Sequence, residues 1–148
     1  MDHICEKNGA LLPLLGQGAA LSEDQCAVHL AEQVARSAFE ASCGRDVMCR
    51  DGMFQLYLII HDIARGKGRA GDLELLADLC AAIEAAAGCN LAVQAAREIA
   101  ALAEQRQSQW SAHVLRKLCR PGACPMPQAD AAQAQQPVLR RRRRGTIQ

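Results

Sequence analysis

Cysteine is the residue type with the clearest chemical potential in this sequence. The 148 residues contain eight cysteines, namely Cys5, Cys26, Cys43, Cys49, Cys80, Cys89, Cys119 and Cys124. The N-terminus carries Asp2, Glu6 and Lys7 and lacks the basic start of a secretory signal, so we expect a cytoplasmic protein with reduced thiols. Metal ligation is therefore a better interpretation of these cysteines than disulfide bonding.

Three of the cysteines could serve one metal centre. Cys43 and Cys49 are predicted to share a loop, and Cys89 follows Gly88 at a later turn between helices. Gly44 would let the backbone come close to an inorganic cluster. Three thiolates brought together in this way suit an iron–sulfur centre. The spacing leaves open the alternative of three unconnected thiols, since many cysteines are simply buried.

A second pattern consists of His113, Cys119 and Cys124. With one more thiolate, these residues would complete a Cys3His tetrahedron, which is typical of a closed structural zinc site. The spacing alone equally allows a histidine at a helix end followed by two unrelated loop cysteines.

The remaining motifs have simpler interpretations. Gly66, Gly68 and Gly71 have the spacing of the glycines in the dinucleotide-binding fingerprint. They follow a predicted helix rather than a strand, so we predict that this segment is a link between helices. Arg140–Arg144 holds five of the 17 basic residues, and the rest of the chain is mildly acidic. Because this tail lacks aromatic residues, we interpret it as a solvated charged segment and expect no nucleic-acid binding. Cys80 fits core packing on a helix.

The elements that must position these residues are predicted to be helices. The chain is rich in alanine and has only 3% aromatic residues, which favours close-packed helices over a sheet. Apolar periodicity and capping residues predict helices over 23–41, 50–65, 72–87 and 90–118. The expected fold is therefore an all-α four-helix bundle with metal-binding loops over 22–127. We expect a flexible segment at 1–21, a disordered basic tail at 128–148, and no membrane span.

Several separated segments resemble one iron–sulfur domain. The segment 42–52, SCGRDVMCRDG, is similar to the S-C-G-x-C-x-P-C-R-x-G motif of the domain that closes the NADH-binding flavoprotein subunit of respiratory complex I. Relatives of that domain occur in NAD-linked hydrogenases and formate dehydrogenases. The resemblance continues in further segments, namely IARGKG at 63–68 with DLELL at 72–76, WSAHV at 110–114, CRPGACP at 119–125 and CAV at 26–28.

The resemblance implies two groups of metal ligands. Cys43, Cys49 and Cys89 match three cluster ligands, while Asp46 stands at the position of the fourth. The cluster could be [4Fe-4S] with Asp46 as an oxygen ligand, it could be [3Fe-4S] on three thiolates, or it could be lost while the scaffold is kept. The second group is a zinc site, and its members are Cys26, His113, Cys119 and Cys124.

The function that the resemblance implies is electron transfer. We expect a non-catalytic module with one iron–sulfur cluster, docked on larger subunits of an NAD-linked formate dehydrogenase, hydrogenase or NADH dehydrogenase. We expect no small-molecule substrate, because the NADH- and flavin-binding region of the family precedes this domain and does not fit into 1–21. The alternative is a zinc-stabilised helical interaction or assembly subunit that has lost its cluster.

Overall fold

The computed structural model of the protein describes residues 14–127. Within this part, five α-helices follow one another, namely α1 (Ala27–Ala41), α2 (Met53–Ala64), α3 (Asp72–Ala86), α4 (Asn90–Gln105) and α5 (Gln107–Ser111). A 3₁₀ turn, Gln17–Ala20, precedes α1, and the π-helical turns Met48–Gly52 and Ala112–Arg116 precede α2 and follow α5. No strand occurs between residues 14 and 127, which confirms the predicted all-α class.

The four longer helices surround one core. α1 packs against α2 and α4, and α3 packs against the same two helices. α1 contributes small side chains, since Ala27, Ala31, Ala35 and Ala38 are fully buried, and this allows close approach of its neighbours. α1 also buries Val28, Leu30 and Val34. The largest fully buried apolar side chains lie on the other helices and are Met53, Leu56, Ile60, Ile63, Leu76, Ile83, Ile99, Leu102 and Trp110.

The starts of the first two helices differ from the predicted ones. Gln25 Oε1 accepts the backbone N–H of Ser22 at 3.1 Å, as a capping pair should, but this pair closes an isolated turn. Cys26 then adopts an extended backbone with φ −95° and ψ 121°, and α1 begins only at Ala27. The predicted second helix starts as the π-helical turn Met48–Gly52 and becomes α-helical at Met53.

The prediction of one continuous fourth helix is wrong, because the helix is interrupted at Arg106. This residue has φ −123° and ψ 39° and separates α4 from α5. Its guanidinium donates to the carbonyl oxygen of Leu21 and to Glu23 Oε1. These contacts with the segment before α1 are tertiary, so the local pattern of apolar residues does not report them. The break redirects α5 toward the start of α1.

The predicted terminal segments fall largely outside the described residues. Within 14–21, the N–H of Gly18 donates to Glu98 Oε1 at 3.1 Å, which attaches the 3₁₀ turn to α4. Residues 1–13, the tail 128–148 with Arg140–Arg144, and Cys5 lie outside the described part. Among the helices that are described, none has the length and apolar character needed to cross a bilayer.

Candidate metal centres

Four buried side chains converge between the start of α1 and the turn that follows Arg116. Cys26 precedes α1, His113 lies in the π-helical turn after α5, and Cys119 and Cys124 come from the following turn. One potential ligand atom of each residue lies within 4.8 Å of the corresponding atoms of the other three. None of the three cysteines is in a disulfide. The structure thus brings together the four residues that the sequence assigned to a zinc site, which we name the Cys3His cluster.

Two distances within the Cys3His cluster are close to those around a tetrahedral zinc ion. Cys26 Sγ lies 3.4 Å from His113 Nε2 and 3.6 Å from Cys124 Sγ. Tetrahedral zinc bonds of about 2.3 Å to sulfur and about 2.0 Å to nitrogen place two sulfurs about 3.8 Å apart and a sulfur and a nitrogen about 3.5 Å apart. Little rearrangement of these pairs would be needed to accommodate the ion.

Gln109 orients the Cys3His cluster, and the sequence analysis missed it. His113 Nδ1–H donates to the carbonyl oxygen of Gln109 at 2.6 Å, which directs Nε2 at Cys26 and leaves that nitrogen as the one that could bind a metal. The Gln109 side chain accepts the N–H of Ala27 at 2.9 Å and donates to the carbonyl oxygen of Gln25 at 3.1 Å. Its position four residues before His113 is the sequence signal that could have indicated it.

Contacts within the Cys3His cluster shift the pKa values of its members in different directions. A hydrogen bond with Cys124, together with His113, lowers the pKa of the Cys26 thiol to about 4 against the opposing effect of burial. Burial lowers the pKa of His113, but hydrogen bonds with Cys26 and with the Gln109 carbonyl outweigh it and raise the pKa to about 9. The hydrogen bond with Cys26 also raises the pKa of Cys124. These directions favour the thiolate form of Cys26 and the protonated form of His113.

Asp46 connects the loop between α1 and α2 to the start of α4. The N–H of Cys49 donates to Asp46 Oδ1 at 2.9 Å, and the N–H of Gly88 donates to Asp46 Oδ2 at 2.8 Å. Hydrogen bonds to a charged group contribute about 1.5–3 kcal/mol each to stability. Because Cys89 directly follows Gly88, one carboxylate holds together the segments that carry Cys49 and Cys89.

The three cysteines assigned to the iron–sulfur cluster differ in exposure and position. Cys49 and Cys89 are buried, whereas Cys43 is exposed. Cys49 lies in the turn that leads into α2, and Cys89 immediately precedes α4. Both therefore lie at helix starts, where backbone N–H groups and the helix dipole favour negative charge. Among the described residues, ligand atoms lie within 4.8 Å of one another in the Cys3His cluster but not in the set of Cys43, Cys49 and Cys89. The Asp46 carboxylate at the fourth position is bonded to two backbone amides.

Cys80 is separate from both groups of cysteines. It is buried on α3, as predicted for a core residue, and burial raises the pKa of its thiol to about 12. A thiol that stays protonated is a poor metal ligand and nucleophile. The segment 66–71 joins α2 to α3, as predicted for a link between helices.

Known proteins share the sequence features of this chain. Residues 29–113 match the NADH-ubiquinone oxidoreductase-F iron-sulfur binding region. The chain is 30% identical, over 80% of its length, to the NADP-reducing hydrogenase subunit HndC of Solidesulfovibrio fructosivorans. It is 29% identical, over 67% of its length, to an NADH-quinone oxidoreductase subunit of Rhizobium meliloti, and 28% identical, over 75%, to the corresponding NADH-quinone oxidoreductase subunit of Streptomyces coelicolor.

These curated relatives are much longer proteins. The matched part of the chain spans 25% of the hydrogenase subunit and 24% and 25% of the two quinone oxidoreductase subunits. The match over 29–113 includes Cys43, Cys49 and Cys89 and nearly all of the four longer helices. The chain therefore belongs to the family of the NADH-ubiquinone oxidoreductase-F iron-sulfur binding region.

Proposed function

We propose that this chain is an electron-transfer module whose single iron–sulfur cluster is held by Cys43, Cys49 and Cys89. A cluster bound there would take up and release electrons one at a time. The observation that carries this proposal is the family match over residues 29–113, within which all three cysteines lie. We assign the chain no substrate of its own. Its partners would be larger subunits of an NAD-linked redox complex of the formate dehydrogenase, hydrogenase or NADH dehydrogenase type.

The protein environment of the three cysteines supports this role. Cys49 and Cys89 are buried, which would shield a cluster from water. They also lie at two helix starts, where the helix dipole would favour the negative charge of the cluster. Cys43 is exposed, so this side of the site is accessible to a partner protein. Arg45 and Arg50 lie exposed in the same segment and would add positive charge near the cluster.

The Cys3His cluster is assigned to a structural zinc ion. Four protein ligands leave no open coordination position for a substrate or water, which is typical of structural rather than catalytic zinc. The ion would connect the start of α1 to residues 87 and 98 positions later in the chain. Its role would be to hold α5 and the following turns against the helices.

A second candidate function is a zinc-stabilised interaction or assembly subunit without an iron–sulfur cluster. The observation that favours it is Asp46, which replaces a cysteine of the family motif and uses both oxygens for backbone hydrogen bonds. In that case the helices and the Cys3His cluster would be retained as a scaffold, since a fold is often kept when its functional site changes.

Metal analysis distinguishes the two candidates. The full chain is purified and reconstituted without oxygen, and its iron, acid-labile sulfide and zinc contents are measured together with electron paramagnetic resonance before and after dithionite. Electron transfer predicts three or four irons per chain with a matching amount of sulfide, beside one zinc. One zinc with no iron after reconstitution would refute the electron-transfer proposal and support the scaffold.

Zinc affinity is expected to rise with pH across the neutral range. Zinc binds the deprotonated ligands, and the pKa of His113 is raised to about 9, so this ring must lose a proton when zinc binds at pH 7. Each proton released makes the affinity about tenfold stronger per pH unit below that pKa. Competition with a chromophoric chelator between pH 6 and 8 measures this slope. Cys124, whose pKa is also raised, would add to this slope. A pH-independent affinity, after correction for the chelator, would contradict the assignment of the Cys3His cluster to zinc.

A further inference from the structure

The Asp46 carboxylate makes an unusual pair of contacts between distant parts of the chain. Oδ1 accepts the N–H of Cys49, three residues later, and Oδ2 accepts the N–H of Gly88, 42 residues later. The backbone oxygen of Asp46 also accepts the N–H of Arg50 at 2.9 Å. Asp46 therefore caps the first turn that leads into α2 and, at the same time, attaches this turn to the start of α4.

The contact with Gly88 is close enough to depend on the residue type there. A Cβ atom placed on Gly88 would lie 3.2 Å from Asp46 Oδ2, which is tighter than most contacts of real side chains. Gly88 thus leaves room for the carboxylate to reach the backbone. The two amides that Asp46 binds belong to Cys49 and to the residue before Cys89, so the carboxylate sets the separation of two thiols that are assigned to the cluster.

These contacts compete with a role for Asp46 as an iron ligand. If the carboxylate turned toward an iron ion, the charge-assisted hydrogen bonds to Cys49 and Gly88 would be weakened or lost, and the two loops would be released from each other. A carboxylate is also a harder ligand than a thiolate and suits a sulfide-bridged iron less well. The backbone contacts satisfy Asp46 without any metal.

We infer that Asp46 is a positioning residue that clamps the loops carrying Cys49 and Cys89, and that it leaves the iron–sulfur cluster to the three cysteines. The part of this inference that concerns the cluster rests on the proposed function. The clamp itself is a property of the polypeptide and is measurable in the metal-free chain. The two parts therefore have separate readouts.

The experiment compares the full-length wild-type chain with Asp46→Ala, Asp46→Asn and the control Asp51→Ala. Asp51 is an acidic residue of the same segment, but its carboxylate pairs with Arg50 and is 59% exposed. Amide hydrogen exchange at Gly88 and Cys49 is measured by nuclear magnetic resonance in the metal-free proteins. Iron content and electron paramagnetic resonance are measured after reconstitution, and circular dichroism verifies that each variant is folded.

The clamp predicts that Asp46→Ala speeds exchange at the Gly88 amide by about tenfold or more. Asp46→Asn should have an intermediate effect, because its single oxygen can accept only one of the two amides well, and Asp51→Ala should resemble the wild type. The number of irons per bound cluster should be the same in the wild type and in Asp46→Ala, while the fraction of chains that bind a cluster should fall several-fold in the variant.

Two results would overturn the inference. One is unchanged exchange at Gly88 and Cys49 in folded Asp46→Ala. The other is a wild-type cluster of four irons that becomes a cluster of three irons in the variant, since this would identify Asp46 as a ligand. If the wild type binds no iron at all, the proposed function fails, and the exchange rates of the metal-free proteins still decide whether Asp46 is a clamp.

Discussion

Substitution of Cys26 by serine is expected to reduce the zinc content from one ion per chain to nearly none and to lower the melting temperature by roughly 10–20 °C. Cys26 directly contacts two other members of the Cys3His cluster, since its sulfur lies 3.4 Å from His113 Nε2 and 3.6 Å from Cys124 Sγ. Serine offers a hydroxyl of high pKa that is a weak zinc ligand. The remaining three ligands would bind the ion much less tightly.

The expected stability change follows from binding linkage. A ligand that binds only the folded state at a thousandfold excess over its Kd stabilises that state by about 4 kcal/mol. For a domain of this size, each kcal/mol corresponds to a shift of roughly 3–5 °C in the melting temperature. The helices should still form in the variant, because Met53, Ile60, Ile83 and Ile99 are fully buried and none of them belongs to the Cys3His cluster.

Thermal unfolding is measured by circular dichroism with and without a strong zinc chelator, and zinc is determined by mass spectrometry. The chelator should lower the melting temperature of the wild type and leave that of Cys26→Ser almost unchanged. Cys80→Ala serves as a matched control, since Cys80 is also buried but lies outside the Cys3His cluster. A wild-type melting temperature that does not respond to the chelator would exclude a stabilising zinc ion.

The sequence predicted the helices better than their junctions. Apolar spacing located the four longer helices, because burial follows the helical period. On α3 it was less accurate about the buried face, since Leu75 is 52% exposed. It missed the break at Arg106, because the bonds of this residue to Leu21 and Glu23 arise only when the chain is folded. The extended backbone of Cys26 is a similar case, since the capping signal of Ser22 and Gln25 is local and the helix begins after them.

The candidate sites also combine residues that are close in the sequence with residues that meet only in the folded chain. The spacing of His113, Cys119 and Cys124 was compatible with a metal site without requiring one. The fourth residue of the group, Cys26, lies 87 residues before His113 and came from the family resemblance. The contact of the Gln109 carbonyl oxygen with His113 follows from helical spacing. The contacts of its side chain with Ala27 and Gln25 join residues far apart in the sequence, so no local motif indicates them. Asp46 was recognisable as a departure from the family motif, whereas its bond to Gly88 depends on how α4 starts.

Substitution of Cys89 by alanine is expected to abolish the iron–sulfur cluster, whereas Cys80→Ala should retain it. Both side chains are almost fully buried, with exposures of 3% and 2%, so the two substitutions remove the same sulfur from similarly shielded positions. Cys89 precedes α4 and is joined to the Cys49 segment through Gly88 and Asp46, while Cys80 lies on α3 with a pKa raised to about 12. Loss of one of three thiolates should reduce iron incorporation at least tenfold.

Iron and sulfide are measured after anaerobic reconstitution of the full chain, and zinc is measured in the same samples. The zinc content should stay at one per chain in both variants, because the Cys3His cluster is formed by other residues, and this shows that each variant is folded. Alanine is preferred to serine at Cys89, since a serine oxygen could still bind iron. If Cys89→Ala kept the iron content of Cys80→Ala, the iron would be bound elsewhere, and the assignment of Cys43, Cys49 and Cys89 as its ligands would be wrong.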